Sequence, residues 1–76
     1  MFSSFYPAVQ IFPYPGNGIV TETITTTQRG RVKFDSSYWP ARLHEINVPT
    51  RLTPQDLVIV VGREGMTLLV QPDPSQ

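Results

Sequence analysis

The sequence of 76 residues contains no cysteine and one histidine, which limits the kinds of stabilising site that it can form. Without cysteine there is neither a disulfide framework nor a thiolate metal site, and one histidine cannot supply a histidine-rich site. We therefore expect no metal centre and no cofactor. A chain this short buries only about 60% of its unfolded surface, so packing alone must hold a marginally stable domain together.

Net charge is also lacking, because six lysine and arginine residues balance six aspartate and glutamate residues. This balance argues against a protein that binds polyanions over its whole surface. The distribution is uneven, since all six basic residues lie within residues 29–63, opposed there by Asp35, Glu45 and Asp56. The local excess of positive charge predicts a modest basic face.

No apolar run approaches the roughly 20 residues that a transmembrane helix needs, so any membrane role is expected to be indirect. Residues 1–18 have no basic start of the kind found in signal peptides, and Pro7, Pro13 and Pro15 interrupt their apolar residues. We expect residues 1–18 to form an irregular or disordered arm. An aromatic arm that binds a partner is the alternative.

Catalytic motifs are lacking as well. Asp35, Ser36, Ser37 and His44 are the residue types of a hydrolytic triad, but no glycine-flanked elbow presents either serine. The glutamates are isolated, and "GREG" has neither the lysine nor the length of a phosphate-binding loop. We expect a protein without enzyme activity and without catalytic, cofactor-binding or metal-binding residues.

What the sequence does contain, from residue 19 onward, is a series of strand patterns. "IVTETITTT" is almost wholly β-branched, with Val20 and Ile24 on one face and threonines on the other. "TPQD" is typical of a type I turn, "LVIVV" predicts a strand buried on both faces, and "GREG" predicts a tight loop before "MTLLVQP". Five short strands indicate a small β-barrel or rolled sheet over residues 19–72, followed by a tail over residues 73–76.

The stretch "RGRVKFDSSYWPARL", residues 29–43, has the pattern of a β-hairpin with its turn at "DSS". Gly30 is expected at a bulge or bend, and Pro40 at an edge or a bulge, because proline has no N–H group. For Trp39 the core is the favoured place, and a half-exposed partner site is the alternative. The side chains expected to point inward are Val32, Phe34, Trp39, Ala41 and Leu43.

The outward side of this hairpin is the candidate ligand or partner face. Its residues are Arg29, Arg31, Lys33, Tyr38 and Arg42. A basic groove with an exposed aromatic side chain can hold single-stranded nucleic acid by phosphate contacts and base stacking. The competing interpretation is an ordinary solvated strand face, on which lysine and arginine also prevent edge-to-edge aggregation.

Three segments, "GRVKF", "YWPAR" and "PQDLVIVVGREGMTLLVQP", resemble the C-terminal soluble domain of the NfeD family. The resemblance covers about residues 26–72. The hairpin loop carries "DSS" where glycine is usual in that family, and Gln55 also stands at a usual glycine position. The matching positions are Gly30, Val32, Trp39, Ala41, Asp56, Val58, Val60, Leu68 or Leu69, Val70 and Pro72.

The resemblance implies an OB-like, five-stranded barrel, which agrees with the strand pattern. It also implies a non-catalytic module that interacts with a protein, with a membrane-protein partner of stomatin or flotillin type. We therefore expect an all-β, OB-like protein-interaction domain in the cytoplasm. Weak binding of single-stranded nucleic acid through the basic hairpin face is the alternative function.

Overall fold

Seven β-strands and no helix make up residues 8–75, the part of the chain that the structure, a computed structural model, describes. The strands are β1 (Val9–Glu22), β2 (Ile24–Thr25), β3 (Gly30–Phe34), β4 (Ser37–Leu43), β5 (Arg51–Leu52), β6 (Leu57–Glu64) and β7 (Thr67–Pro72). Residues 1–7 of the expected arm and the last residue of the expected tail lie outside the described residues.

Five of the strands close into a barrel in the order β1-β3-β4-β7-β6, so that β6 returns to β1. Neighbouring strands are antiparallel except β4 and β7, which run parallel. The short strands β2 and β5 form a separate antiparallel sheet. The predicted fold class, an all-β barrel of five strands with an OB-like arrangement, is confirmed.

Strand β1 begins at Val9, so most of the described part of the expected irregular arm belongs to the barrel. The ladder between β1 and β6 is interrupted between Ile11 and Gly16. Pro13 and Pro15 lie in this interruption, where the N–H groups that they lack are not needed for pairing. The prolines therefore mark a bulge inside one strand, whereas sequence reasoning expected them to prevent regular structure.

The core lies inside the barrel and is made of aliphatic side chains. The hairpin of β3 and β4 contributes Val32, Ala41 and Leu43, as predicted, and all three are buried. Phe34 and Trp39 are half-buried and pack against this core, and the indole N–H of Trp39 donates to the carbonyl oxygen of Phe34 at 3.2 Å. The other buried members are Val20, Ile24, Leu52, Val58, Val60, Leu68 and Val70.

Strand β6 differs from the prediction that "LVIVV" is buried on both faces. Val58 and Val60 are fully buried, whereas Ile59 and Val61 are half-buried and Leu57 is exposed. The prediction was wrong because a single-layer barrel covers only the inner face of each strand. The continuous apolar run therefore conceals an alternation between the core and the outer surface.

The "TPQD" segment forms a type II turn, so the type I prediction was wrong. Gln55 has a φ of 82°, and the N–H of Asp56 donates to the carbonyl oxygen of Thr53 at 3.0 Å. The N–H of Gln55 donates to the carbonyl oxygen of Val20 at 2.8 Å, and the N–H of Val20 donates to that of Asp56 at 2.9 Å. These bonds to β1 hold Gln55 in a conformation that usually requires glycine.

Two tight turns complete the barrel's hairpins. Asp35 and Ser36 have φ values of 53° and 66°, the pattern of a type I′ turn between β3 and β4. Between β6 and β7, Gly65 has a φ of 61° and Met66 follows it in the turn, so this loop lies at the end of "GREG" and after it. The turn between β3 and β4 therefore lacks the glycine that is usual in the family that the sequence resembles. Asp35 and Ser36 occupy the positions where the conformational freedom of glycine would help.

We predict that Ser36→Gly stabilises the protein, because a residue other than glycine in the left-handed region costs about 1–2 kcal/mol. Glycine also loses more conformational entropy on folding than serine does, which cancels about 0.5–1 kcal/mol of this benefit. The free energy of unfolding should therefore rise by about 0.5–1 kcal/mol. Urea denaturation measures this difference. Ser37→Gly, one residue later in β4, is the control and should destabilise; a loss of stability in both variants would contradict the turn assignment.

Candidate partner-binding surface

The structure brings together three of the five residues proposed for the candidate face. Arg31 and Lys33 lie on β3, Tyr38 lies on β4, and all three are exposed. Lys33 is paired with Tyr38 in the strand register, and the Lys33 Nζ lies 5.9 Å from the centre of the tyrosine ring. This distance is near the limit for a cation–π contact, which orders the ammonium group beside an exposed aromatic ring.

Two aliphatic residues extend this face around the barrel. In register, Leu57 on β6 is paired with Ile19 on β1, and Ile19 with Lys33 on β3. Leu57 and Ile19 are 41% and 39% exposed, and Tyr38 at the end of the series is 61% exposed. We call Leu57, Ile19, Lys33 and Tyr38 the cross-barrel row, which spans four neighbouring strands.

Sequence reasoning missed Ile19 and Leu57. Each residue precedes a fully buried valine, Val20 or Val58, so strand alternation alone places it on the outer face. This signal was present in the sequence. It was hidden because both residues are apolar and stand at the start of apolar runs.

Charge pairing removes part of the expected basic character. The Nε of Arg31 lies 3.7 Å from a carboxylate oxygen of Glu22, in a largely exposed pair. Arg42 is half-buried and makes a closer pair, with 2.7 Å between its Nη2 and Oε1 of Glu64. Arg42 is therefore not available on the face in the way that the sequence suggested.

The pair between Arg42 and Glu64 spans β7. Arg42 lies opposite Leu69 in the parallel register, and Glu64 lies opposite Thr67, so all four side chains project from the same side of the sheet. Leu69 is fully buried although it lies outside the barrel's interior cluster. The ion pair thus links β4 to β6 across an apolar residue.

Arg29, the remaining residue of the predicted face, lies before β3 and is exposed. It lines a cleft together with Arg42, away from the cross-barrel row. The five predicted residues therefore fall into two places. Arg31, Lys33 and Tyr38 form one group, and Arg29 and Arg42 form the other.

Other exposed apolar side chains lie in three further regions, one of which is Met66 in the turn between β6 and β7. Ile46 and Val48 stand on the connector between β4 and β5, where Val48 lines a groove of about 360 Å³. Val9, Ile11 and Tyr14 are exposed along the first part of β1. These regions compete with the cross-barrel row as contact surfaces.

The residue types of a hydrolytic triad are not brought together. Asp35, Ser36 and Ser37 lie at the β3–β4 turn, whereas His44 follows the other end of β4. A strand of this length separates its ends by about 20 Å. Within residues 8–75 no group of three His, Cys, Asp or Glu side chains could hold a metal ion.

One exposed carboxyl group has a perturbed pKa. The hydroxyl and the backbone N–H of Ser75 both donate to Asp73 and lower the pKa of its carboxyl below the usual range. The N–H of Asp73 also donates to the carbonyl oxygen of Leu57 at 3.2 Å. These bonds order the tail against the start of β6.

A protein-family comparison matches most of the barrel. The model of the NfeD-like C-terminal, partner-binding domain matches residues 16–72. The chain belongs to this family. The match to this NfeD-like domain begins at Gly16, where β1 resumes its pairing with β6, and it ends at Pro72, the last residue of β7.

The matched range contains every residue of the cross-barrel row, but it leaves out Val9, Ile11 and Tyr14. No curated protein and no solved structure matches this NfeD-like chain. Within residues 8–75 the structure has no helix with the length and apolar character to cross a membrane.

We predict measurable coupling between Arg42 and Glu64 in a double-mutant cycle with Arg42→Gln and Glu64→Gln. Their side chains are about one-third exposed (32% and 34%), so solvent screening limits the expected coupling to about 0.5–1 kcal/mol in the free energy of unfolding. Denaturant unfolding at low salt measures it.

The more exposed pair of Arg31 and Glu22 is the matched comparison. Because it is longer and better solvated, its coupling should be smaller than that of Arg42 and Glu64. Equal coupling in the two pairs would show that the link across β7 has no special structural role.

Proposed function

We propose that this NfeD-like domain is a non-catalytic module that binds a protein through the cross-barrel row. The finer proposal is a cytoplasmic module whose partner is a membrane-associated protein of stomatin or flotillin type, as the family resemblance implies. The observation that carries the proposal is the continuous series of exposed side chains Leu57, Ile19, Lys33 and Tyr38 within a barrel of a partner-binding family.

The composition of the row supports binding to protein. Tyrosine provides a large contact area at low entropic cost and is enriched among the residues that dominate protein interfaces. Ile19 and Leu57 offer apolar area beside it, and Lys33 adds a charge that can orient a partner. All four side chains stand on paired strands, so little backbone ordering opposes association.

Regular strand pairing favours this surface over the connector, and the range of the family match favours it over the first part of β1. Ile46 and Val48 lie on a connector without regular pairing, and Val9 and Ile11 lie outside the range that the family model matches. The cross-barrel row is therefore the surface best suited to a property shared across the family.

Single-stranded nucleic acid is the alternative ligand for the same face. The contact between Lys33 and Tyr38 supports it, because it places a charge for phosphate beside a ring for stacking. The ion pairs of Arg31 and Arg42 reduce the free positive charge that such a ligand needs. The protein-binding proposal is preferred for this reason.

The test is a titration of the domain with the purified soluble part of a stomatin-type protein from the same organism. We predict that Tyr38→Ala or Ile19→Ser weakens binding by about tenfold or more, because each removes apolar contact area from the cross-barrel row. Val48→Ser is the control, since Val48 is 69% exposed but lies on the connector. Loss of binding in the control alone would reject the cross-barrel row.

An oligonucleotide titration separates the two ligands. If the row binds protein, a mixed-sequence single strand at low salt should cause no saturable NMR shifts at Lys33 and Tyr38. Saturable shifts that Lys33→Glu abolishes and that added salt weakens would favour the nucleic-acid alternative.

A further inference from the structure

A second candidate site lies where the turn after β2 faces the end of β4. It is a cleft of about 250 Å³, smaller than most sites for small molecules and suited to one or two side chains of a partner. We call it the Arg29 cleft. Its lining consists of Thr25, Thr26, Thr27, Gln28, Arg29, Arg42, Leu43 and Ile46.

The turn that forms one wall is well ordered by its own hydrogen bonds. Thr25 and Gln28 exchange backbone bonds, with N···O distances of 2.9 and 3.2 Å. The hydroxyl oxygen of Thr26 accepts the N–H of Thr50 at 3.0 Å, which ties the turn to the chain before β5. Since that hydroxyl oxygen acts as an acceptor here, its hydrogen can be donated to a ligand.

The charge of the cleft is positive and unbalanced. Arg29 forms no hydrogen bond or ion pair with any residue in the described range 8–75. Arg42 contributes a guanidinium group already neutralised by Glu64, and no carboxylate lines the cleft. A carboxylate that entered it would meet one free guanidinium group and nearby hydroxyl donors.

A second arginine without a partner among residues 8–75 lies on the other side of the same turn. Arg51 is paired with Thr25 in the register of β2 and β5, and it lines a groove that also contains Thr26 and Thr27. Arg29 and Arg51 therefore flank the threonine turn. A segment that crosses the turn would pass both guanidinium groups.

The remaining wall is apolar. Leu43 is buried at the floor, and Ile46 is 60% exposed at the rim. An aliphatic side chain next to a carboxylate would cover Ile46 and remove it from water. The cleft thus combines a charged side with an apolar side.

We propose that the Arg29 cleft and the adjoining Arg51 groove bind an acidic segment of the protein partner, in which aspartate or glutamate alternates with large aliphatic residues. The carboxylates meet Arg29 and Arg51, and an aliphatic side chain packs on Ile46. This inference rests on the proposed function, because it names the chemistry of a second contact with the same partner.

The experiment uses the full chain labelled for NMR of the backbone amides and the arginine side-chain Nε–H groups. The probe is the peptide acetyl-Ser-Asp-Leu-Asp-Leu-Ser-amide, and its matched control replaces both aspartates by asparagine. We expect saturable shifts at Arg29, Arg51 and Thr27 with the acidic peptide, and binding weaker by about tenfold or more with the control peptide. Added salt should weaken the binding of the acidic peptide.

Variants locate the binding on the chain. Arg29→Gln should weaken binding of the acidic peptide by about tenfold, whereas Arg29→Lys should retain part of it because the charge is kept. Arg63→Gln is the control, since Arg63 is exposed and bonded to Gln10 far from the turn in the β-ladder. Equal binding of both peptides, shifts confined to other residues, or tighter binding of a single-stranded oligonucleotide at the cleft would overturn the proposal.

The two proposals fail in different ways. Tyr38→Ala should leave binding of the acidic peptide unchanged, because Tyr38 does not line the cleft. If the stomatin-type protein binds through Tyr38 while the acidic peptide shifts nothing at Arg29, the cleft proposal is wrong and the proposed function stands.

Discussion

The pairing of β1 on both of its edges is the constraint on which the rest of the structure depends. Val20 is paired with Val32 on β3, and its backbone N–H and C=O groups bond to Asp56 and Gln55 in the turn before β6. The same residue buries its side chain completely in the core. Val20 therefore takes part in the closure of the barrel, in the turn that contains Gln55 and in the core. A chain this small has few other contacts that could replace these.

Closure of a single layer also determines which apolar residues stay exposed. Each barrel strand has one inner and one outer face, and residues 8–75 contain no helix to cover the outer side. Ile19 and Leu57 remain exposed for this reason, although their neighbours Val20 and Val58 are fully buried. The cross-barrel row is thus a direct consequence of the single-layer architecture of residues 8–75.

Sequence patterns predicted the barrel and its central hairpin because both depend on local alternation. Val32 lies between Arg31 and Lys33, Ala41 lies between Pro40 and Arg42, and both are buried as expected. The patterns failed where long-range pairing decides the outcome. Pro13 and Pro15 are accommodated by a bulge opposite β6, and Gln55 keeps a positive φ because β1 bonds to its turn. Pairing across the barrel likewise separated Arg42 from the predicted face, through Glu64.

The net charge is zero, but only some of the basic side chains have a carboxylate or aromatic partner. Arg31 and Arg42 are paired with carboxylates, and Lys33 lies against a tyrosine ring. Arg29 and Arg51, at the threonine turn, make no such contact within residues 8–75. Since paired charges contribute little field beyond their own separation, the positive potential of this end comes mainly from those two residues. The location of unpaired charge is thus defined only by the folded chain, and the total charge does not reveal it.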